Sequence, residues 1–315
     1  MLINKTYKIL SMLALIAVPA LFSSCEKKVH RGGNNDNFNA NIAGTDKTVE
    51  GLEIPHLHSQ HQYICHKLSN GEINYSMEYD RTLYHARWVA YKYDSKSAQR
   101  NWTTRTDAWA ADPNIEKKYQ VAAPQIFQGY NRGHLVGSAE RYFSREANEQ
   151  TFYMSNMSPM LGAFNSEYWG EIEDKARDLW GRNIIKQGSD FYGGTLYIVK
   201  GGALQATTAN PNPIMAYCTV LNGLGDEVKM AVPRYYYMAC LFVSSNGAAK
   251  AIGFWLEHKN YNNTTDAFLT QMRRGAACSI DELEQKTGLD FFCNLKDNVE
   301  TAIESTFNIT QWSGL

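Results

Sequence analysis

Charge of one sign is the first thing this sequence lacks. Its 31 lysines and arginines nearly balance 32 aspartates and glutamates, for a formal net charge of −1. Proteins that hold nucleic acid through bulk electrostatics are strongly basic, since phosphate contacts supply most non-specific affinity. So low a charge counts against that mode of binding, and any phosphate contact must come from a local arginine cluster. Long apolar runs are scarce too. Beyond residue 22 none approaches the roughly 20 residues of a membrane helix. Cysteine is sparse, six in 315 residues with no C-x-x-C pair, which argues against a thiolate zinc site. No internal repeat marks a solenoid or propeller.

What is present at the N-terminus points to export. Lys5 and Lys8 precede an apolar run from Ile9 to Phe22, broken only by Ser11 and Pro19, and then come Ser23, Ser24 and Cys25. A basic start, a short apolar stretch and a small-residue exit make a secretory signal, too short for a good membrane span. Cysteine straight after the small pair resembles a bacterial lipobox. Residues 1–25 are therefore expected to be a lipoprotein signal peptide, with Cys25 lipidated and the chain anchored in the cell envelope. The alternative is an ordinary cleaved signal. Residues 26–58 are polar and aperiodic and are expected to form a flexible tether, leaving 59–315 as the domain. Cys65, Cys218, Cys240, Cys278 and Cys293 remain, an odd set with at least one free thiol. Cys218 and Cys240 lie in strand-like apolar runs and read as small buried hydrophobes. Pairing of Cys278 with Cys293 stays open.

Nineteen tyrosines, thirteen phenylalanines and seven tryptophans favour β-structure. Strand patterns cover Tyr75–Tyr79, Arg87–Tyr93, Phe152–Ser155, Thr195–Val199, Ile214–Val220, Glu227–Val232, Tyr236–Val243 and Ala251–Trp255. A short helix is expected over 144–150, and the clearest one from Ser166, as its cap, to Trp180. Another starts at Ser279, where Ser-Ile-Asp-Glu makes a capping box. Many antiparallel-type strands with few helices read as α+β.

Asn165, Trp169, Glu173 and Arg177 stand four apart, so they fall near one helix face with a drift of about 40° per step. An amide oxygen and a carboxylate are hard donors suited to Mg²⁺, and a guanidinium suits a phosphate. The bland alternative is a solvated face with a Glu173–Arg177 ion pair. His134 ends Asn131-Arg132-Gly133-His134, where glycine frees the backbone beside a titratable side chain of the type most used as general base. Near the tether, His56, His58 and His61 form H-x-H-x-x-H, either a zinc site or exposed polar residues. His258 reads as a surface residue.

Together the segments Tyr130-Asn131-Arg132-Gly133-His134-Leu135, Ser155-Asn156-Met157-Ser158-Pro159-Met160, Phe164-Asn165-Ser166-Glu167-Tyr168-Trp169 and Ile172-Glu173 with Arg177 resemble the DNA/RNA non-specific endonucleases. These are ββα-metal nucleases of the endonuclease G type. The resemblance spans about residues 75–295. It implies a mostly antiparallel central sheet flanked by helices, and Mg²⁺-dependent cleavage of DNA and RNA, with Mn²⁺ or Ca²⁺ as substitutes. By the same resemblance His134 is the general base, and Asn165 is the one direct protein ligand of a hydrated metal. Glu173 holds metal-bound water. Arg132, Arg177 and Arg100 bind the scissile phosphate, Arg100 standing five residues before a competing Arg105. Asn156 supports the site by hydrogen bonding. A homodimer is left open. Arg100, Arg132, Arg141, Arg145 and Arg177 are the residues expected to build a local basic face. The chain departs from the family pattern at Asn131, where aspartate is usual, and at Met160, where glutamine is usual. Those two departures support a second reading, a surface lipoprotein with the nuclease fold that binds nucleic acid or another ligand without cutting it. Degradation assays with and without a chelator separate the two.

Overall fold

The computed structural model describes residues 37–315. The export signal and Cys25 lie outside the described residues. The strands are β1 Gln62–Lys67, β2 Ile73–Asp80, β3 His85–Tyr93, β4 Asn131–His134, β5 Met157–Met160, β6 Thr195–Gly202, β7 Ile214–Leu221, β8 Glu227–Pro233, β9 Tyr235–Val243, β10 Ala249–Glu257 and β11 Ala277–Cys278. Seven of them form one sheet in the order β1-β2-β3-β6-β9-β10-β11, antiparallel throughout. The pairs β4–β5 and β7–β8 stand apart from it. Helices α1 Arg145–Gln150, α2 Gly170–Asp174, α3 Asp266–Ala276, α4 Ile280–Thr287 and α5 Asp297–Glu304 complete the fold. This is the α+β architecture with a large antiparallel sheet that the patterning predicts.

Period-two alternation sorts the central strands between two cores. Val89, Tyr91 and Tyr93 of β3, Leu196 and Ile198 of β6, and Met238, Cys240 and Phe242 of β9 point to one face. Trp169, Ile172, Ala176 and Trp180 of the long helix pack on that face. The intervening Trp88, Ala90, Val199, Ala239 and Leu241 point to the other, covered by Ile280, Leu283, Phe291 and Phe292. A strand buried on both faces reads as a near-continuous apolar run, as Tyr235-Tyr236-Tyr237-Met238-Ala239-Cys240-Leu241-Phe242-Val243 does.

Several expectations are corrected here. Residues 37–58 do not behave as a tether. Asn37 donates to the Cys293 carbonyl, Asn39 to Glu300 and Asp290, and Asn41 to the Pro55 carbonyl. Asn294 ties the same segment down through Val49 and Gly51, and Val49 and Ile54 are buried. Their polarity reflects asparagine side chains bonding to backbone, which composition cannot distinguish from solvation. Phe152–Ser155 is not a strand: a 3₁₀ turn covers Met154–Asn156, and the pairing strand β5 begins just after it. Ser166 does not cap the long helix, which is already under way at 162; its hydroxyl donates instead to the Gly162 carbonyl. Ser144 and Ser279 do cap α1 and α4. All five described cysteines are free.

His56, His58 and His61 do not converge. His58 and His61 face different carboxylates, Glu78 and Asp80, while His56 meets the Asn39 carbonyl. His258 is buried, not on the surface. Its Nδ1 lies 2.9 Å from the Pro233 carbonyl, and its Nε2 accepts from the Leu161 amide at 2.8 Å, pinning the start of the long helix.

Candidate active site

The site is assembled on the strand pair and the helix that follows it. β4 and β5 pair antiparallel, with Asn131 opposite Met160, Arg132 opposite Pro159, Gly133 opposite Ser158 and His134 opposite Met157. From behind, the buried His85 meets Ser158 at 2.6 Å, and Tyr236 donates to the Pro159 carbonyl at 3.2 Å.

Asn156 is fully buried and holds the chain beyond His134. Its side-chain oxygen accepts from the Val136 amide at 2.8 Å. Its amide group donates to the carbonyls of Val136, at 3.0 Å, and Thr151, at 2.8 Å. Its backbone carbonyl accepts from Leu135. One asparagine thus fixes the loop that aims the histidine.

His134 lies in an aromatic wall, with ring centroids 4.9 Å from Phe152 and 5.7 Å from Trp109. Burial pushes its pKa down to about 3, assisted by the charges of Arg105, Lys200 and Arg132, while a hydrogen bond to the Arg132 backbone pulls the other way. Nε2 is buried with no hydrogen-bond partner, and the depressed pKa favours the neutral ring.

Gly133 is required by close approach. A Cβ there would collide with the Met160 side chain and come within 3.0 Å of Asn165 Oδ1. The amide oxygen of the helix thus packs straight against the strand that ends in His134. α2 continues on both sides into π-helical turns, Phe164–Trp169 and Lys175–Gly181. A π turn carries more residues than an α turn. It therefore winds back the drift that spreads a four-residue spacing in a straight α-helix. Trp169, expected between Asn165 and Glu173 on the ridge, is buried against Phe164 and Tyr236.

Glu173 pairs with Lys200 at 2.5 Å, and the same ammonium lies 2.8 Å from Glu140. Burial raises the Glu173 pKa to about 7, with Glu140 adding to the rise and Lys200 opposing it. Arg177 is held by Asp174 at 2.7 Å and Asp178 at 2.6 Å, and Asp178 also binds Arg182. Arg132 lies over the Trp109 ring at 3.7 Å, a cation–π contact. Arg105 lies over Phe152 at 4.7 Å and acts on His134. Arg100 stands elsewhere, over Tyr142 and close enough to lower the Asp178 pKa, so it falls on the Arg177 side. The expected basic face is thinner than five arginines. Arg141 is buried, over Tyr91 and bonded to the Asn74 carbonyl, and Arg145 pairs with Glu149.

The residues present suit a hydrated divalent metal. Asn165 and Glu173 offer hard oxygens, and across the strand His134 keeps an unpartnered nitrogen. Sequence reasoning left out Lys200 and Glu140. A lysine in phase with Leu196 and Ile198 on a buried strand face was the available signal, because a buried charge needs a partner.

A strand pair carrying a histidine, followed by a helix carrying an amide and a carboxylate, defines a ββα-type nuclease centre. The model of the DNA/RNA non-specific endonuclease family matches residues 65–298. The chain is 30% identical over 239 residues to a nuclease of Nostoc sp., covering 73% of this chain and 75% of that one. It is 28% identical to a mitochondrial nuclease of Saccharomyces cerevisiae, over 76% of this chain and 69% of that one. In structure it is similar to the crystal structure of the EndoG/EndoGI complex, at a TM-score of 0.53 and 20% identity, over 78% of this chain and 88% of that one. The chain belongs to the DNA/RNA non-specific endonuclease family.

Proposed function

We propose that this chain cuts internal phosphodiester bonds of DNA and RNA with little sequence preference, assisted by a divalent metal, Mg²⁺ first with Mn²⁺ or Ca²⁺ as substitutes. The observation that carries the reading is the unpartnered Nε2 of His134, beside a strand packed against Asn165. In this reading the neutral imidazole of His134 takes the proton from an attacking water. Arg132 and Arg105 bind the phosphate on the His134 side, and Arg177, with Arg100 beyond it, on the other. A bound phosphate also offsets the cations that depress the His134 pKa, so the ring becomes a better base as substrate arrives. Asn165 would hold the metal directly and Glu173 through its waters, while Asn156 keeps the histidine aimed. When bound, the metal supplies charge stabilisation at the leaving oxygen.

The same reading anchors the chain in the bacterial cell envelope through Cys25. The basic start, the apolar run and Ser23-Ser24-Cys25 support it. Pairing as a homodimer belongs to this reading too.

His134→Ala tests the centre. The expected result is loss of metal-dependent plasmid degradation with unchanged circular dichroism. Full activity in that variant sinks the assignment. A wild-type domain that degrades nothing with Mg²⁺, Mn²⁺ or Ca²⁺ favours a non-cutting binder.

A further inference from the structure

β6 brings an ammonium into a place where a charge is costly. Leu196, Ile198 and Lys200 alternate onto the sheet face under the long helix, and the Lys200 side chain is fully buried. Its partners come from two separate stretches of chain. Glu140 Oε2 lies 2.8 Å away and Glu173 Oε1 2.5 Å away. Glu140 Oε2 also accepts from the Gly137 amide at 2.6 Å. Gly137 follows Val136, the residue whose amide and carbonyl Asn156 holds. One lysine therefore joins β6 to the loop beyond His134 and to the helix that carries Glu173.

Two carboxylates share one ammonium. Lys200 and Glu140 are closed off from water, whereas the Glu173 side chain is 16% exposed. Glu173 is thus the member of the trio that reaches the surface. Without Lys200, the Glu173 side chain loses its tie to β6 and is free to turn away.

We propose that Lys200 is the positioning residue of this centre: shared between Glu140 and Glu173, it fixes the place of the Glu173 carboxylate on the helix that carries Asn165. The proposal rests on the reading that Asn165 and Glu173 hold the metal. Groups that orient metal ligands typically change metal affinity or activity about 10–100-fold when removed.

The test is Mn²⁺ binding by calorimetry, with Asn165→Ala as the variant that identifies the site's own binding. Lys200→Met alone strands Glu140 in the core, so the informative variant is Lys200→Met/Glu140→Gln, which removes one charge of each sign. A roughly 10–100-fold weaker Mn²⁺ Kd is expected, with the half-saturating metal concentration for DNA cleavage rising in parallel and the KM for DNA unchanged. A folded double variant that binds Mn²⁺ as wild type does overturns the proposal, whatever its activity. Should that variant not fold, Lys200→Gln/Glu140→Gln keeps a hydrogen-bond donor in the core and is held to the same two outcomes. Wild type that neither binds Mn²⁺ nor cuts DNA fails the proposed function itself. Wild type that does both, matched by the double variant, fails this inference alone.

Discussion

Gly133→Ala adds one methyl group at the point where strand and helix meet. The backbone there is not left-handed, so alanine meets no conformational penalty and the effect is one of space. The new Cβ collides with Met160, a buried side chain, and lies 3.0 Å from Asn165 Oδ1, where ordinary contact starts at 3.4 Å. Methionine has three rotatable bonds and can yield. Asn165 must retreat by about 0.4 Å, the difference between those two distances, and metal ligand distances tolerate only about 0.2 Å. Overpacking should cost roughly 1–3 kcal/mol of stability, and displacement of Asn165 roughly 10-fold in kcat/KM, a 1 Å error costing about 100-fold. Cleavage of a short duplex at several Mg²⁺ concentrations, read beside urea unfolding, measures both. Gly133→Ala/Met160→Ala separates them. Shortening Met160 removes the first collision and leaves the second, so stability should recover in part while activity stays low. A Gly133→Ala enzyme within threefold of wild type would refute the claim that Asn165 is set by its contact with the strand.

Asn156→Ala removes the partners of the Val136 amide, the Val136 carbonyl and the Thr151 carbonyl; at about 1–3 kcal/mol for each buried group left unpaired, urea unfolding should show a loss of at least ~2 kcal/mol, and a smaller one would mean that water replaces the side chain. For His134 the folded pKa is about 3, below the ordinary 6.5. The fold favours the neutral ring, so its contribution is complete above pH 6.5 and is lost as pH falls from there towards 3, at about 1.4 kcal/mol per pH unit. His134→Phe keeps the aromatic wall and removes the titration. Its melting temperature should fall less than that of wild type between pH 6.5 and 4.5, and parallel curves would contradict the depressed pKa. Finally, Cys65 is the one half-exposed thiol among the described cysteines, the other four being buried. A thiol reagent applied to the folded domain should modify Cys65 first, with unchanged melting under reductant; a melting temperature that drops under reductant would point to a disulfide.

Much of the fold could be read in the chain because its strands announce themselves. Tyr235–Val243 is long, apolar and rich in aromatics, and it became a central strand. The candidate site was legible where its residues sit close in sequence: Asn156, Asn165, Glu173 and Arg177 follow one another over a short strand and a helix. What stayed hidden depends on distant contacts. Lys200 meets Glu140 across 60 residues, and only strand phase hinted that its side chain points inward. Arg105 reaches the His134 wall from an irregular stretch where no periodicity sets direction, so the sequence favoured Arg100 and left Arg105 as its competitor. The π turns depend on packing against the sheet, and a straight α-helix was the natural default. His258 looked exposed because it follows the end of a strand, yet a backbone amide and a carbonyl satisfy both its nitrogens.

The segment from Asn37 to Ile54 lies with the core formed by Phe291 and Phe292, on the opposite side of the sheet from the helix bearing Asn165 and Glu173. The chain thus has a back and a front. A polymer of any length can be drawn across the front without disturbing the clasp of Asn37 on the Cys293 and Leu295 carbonyls, which lies on the back.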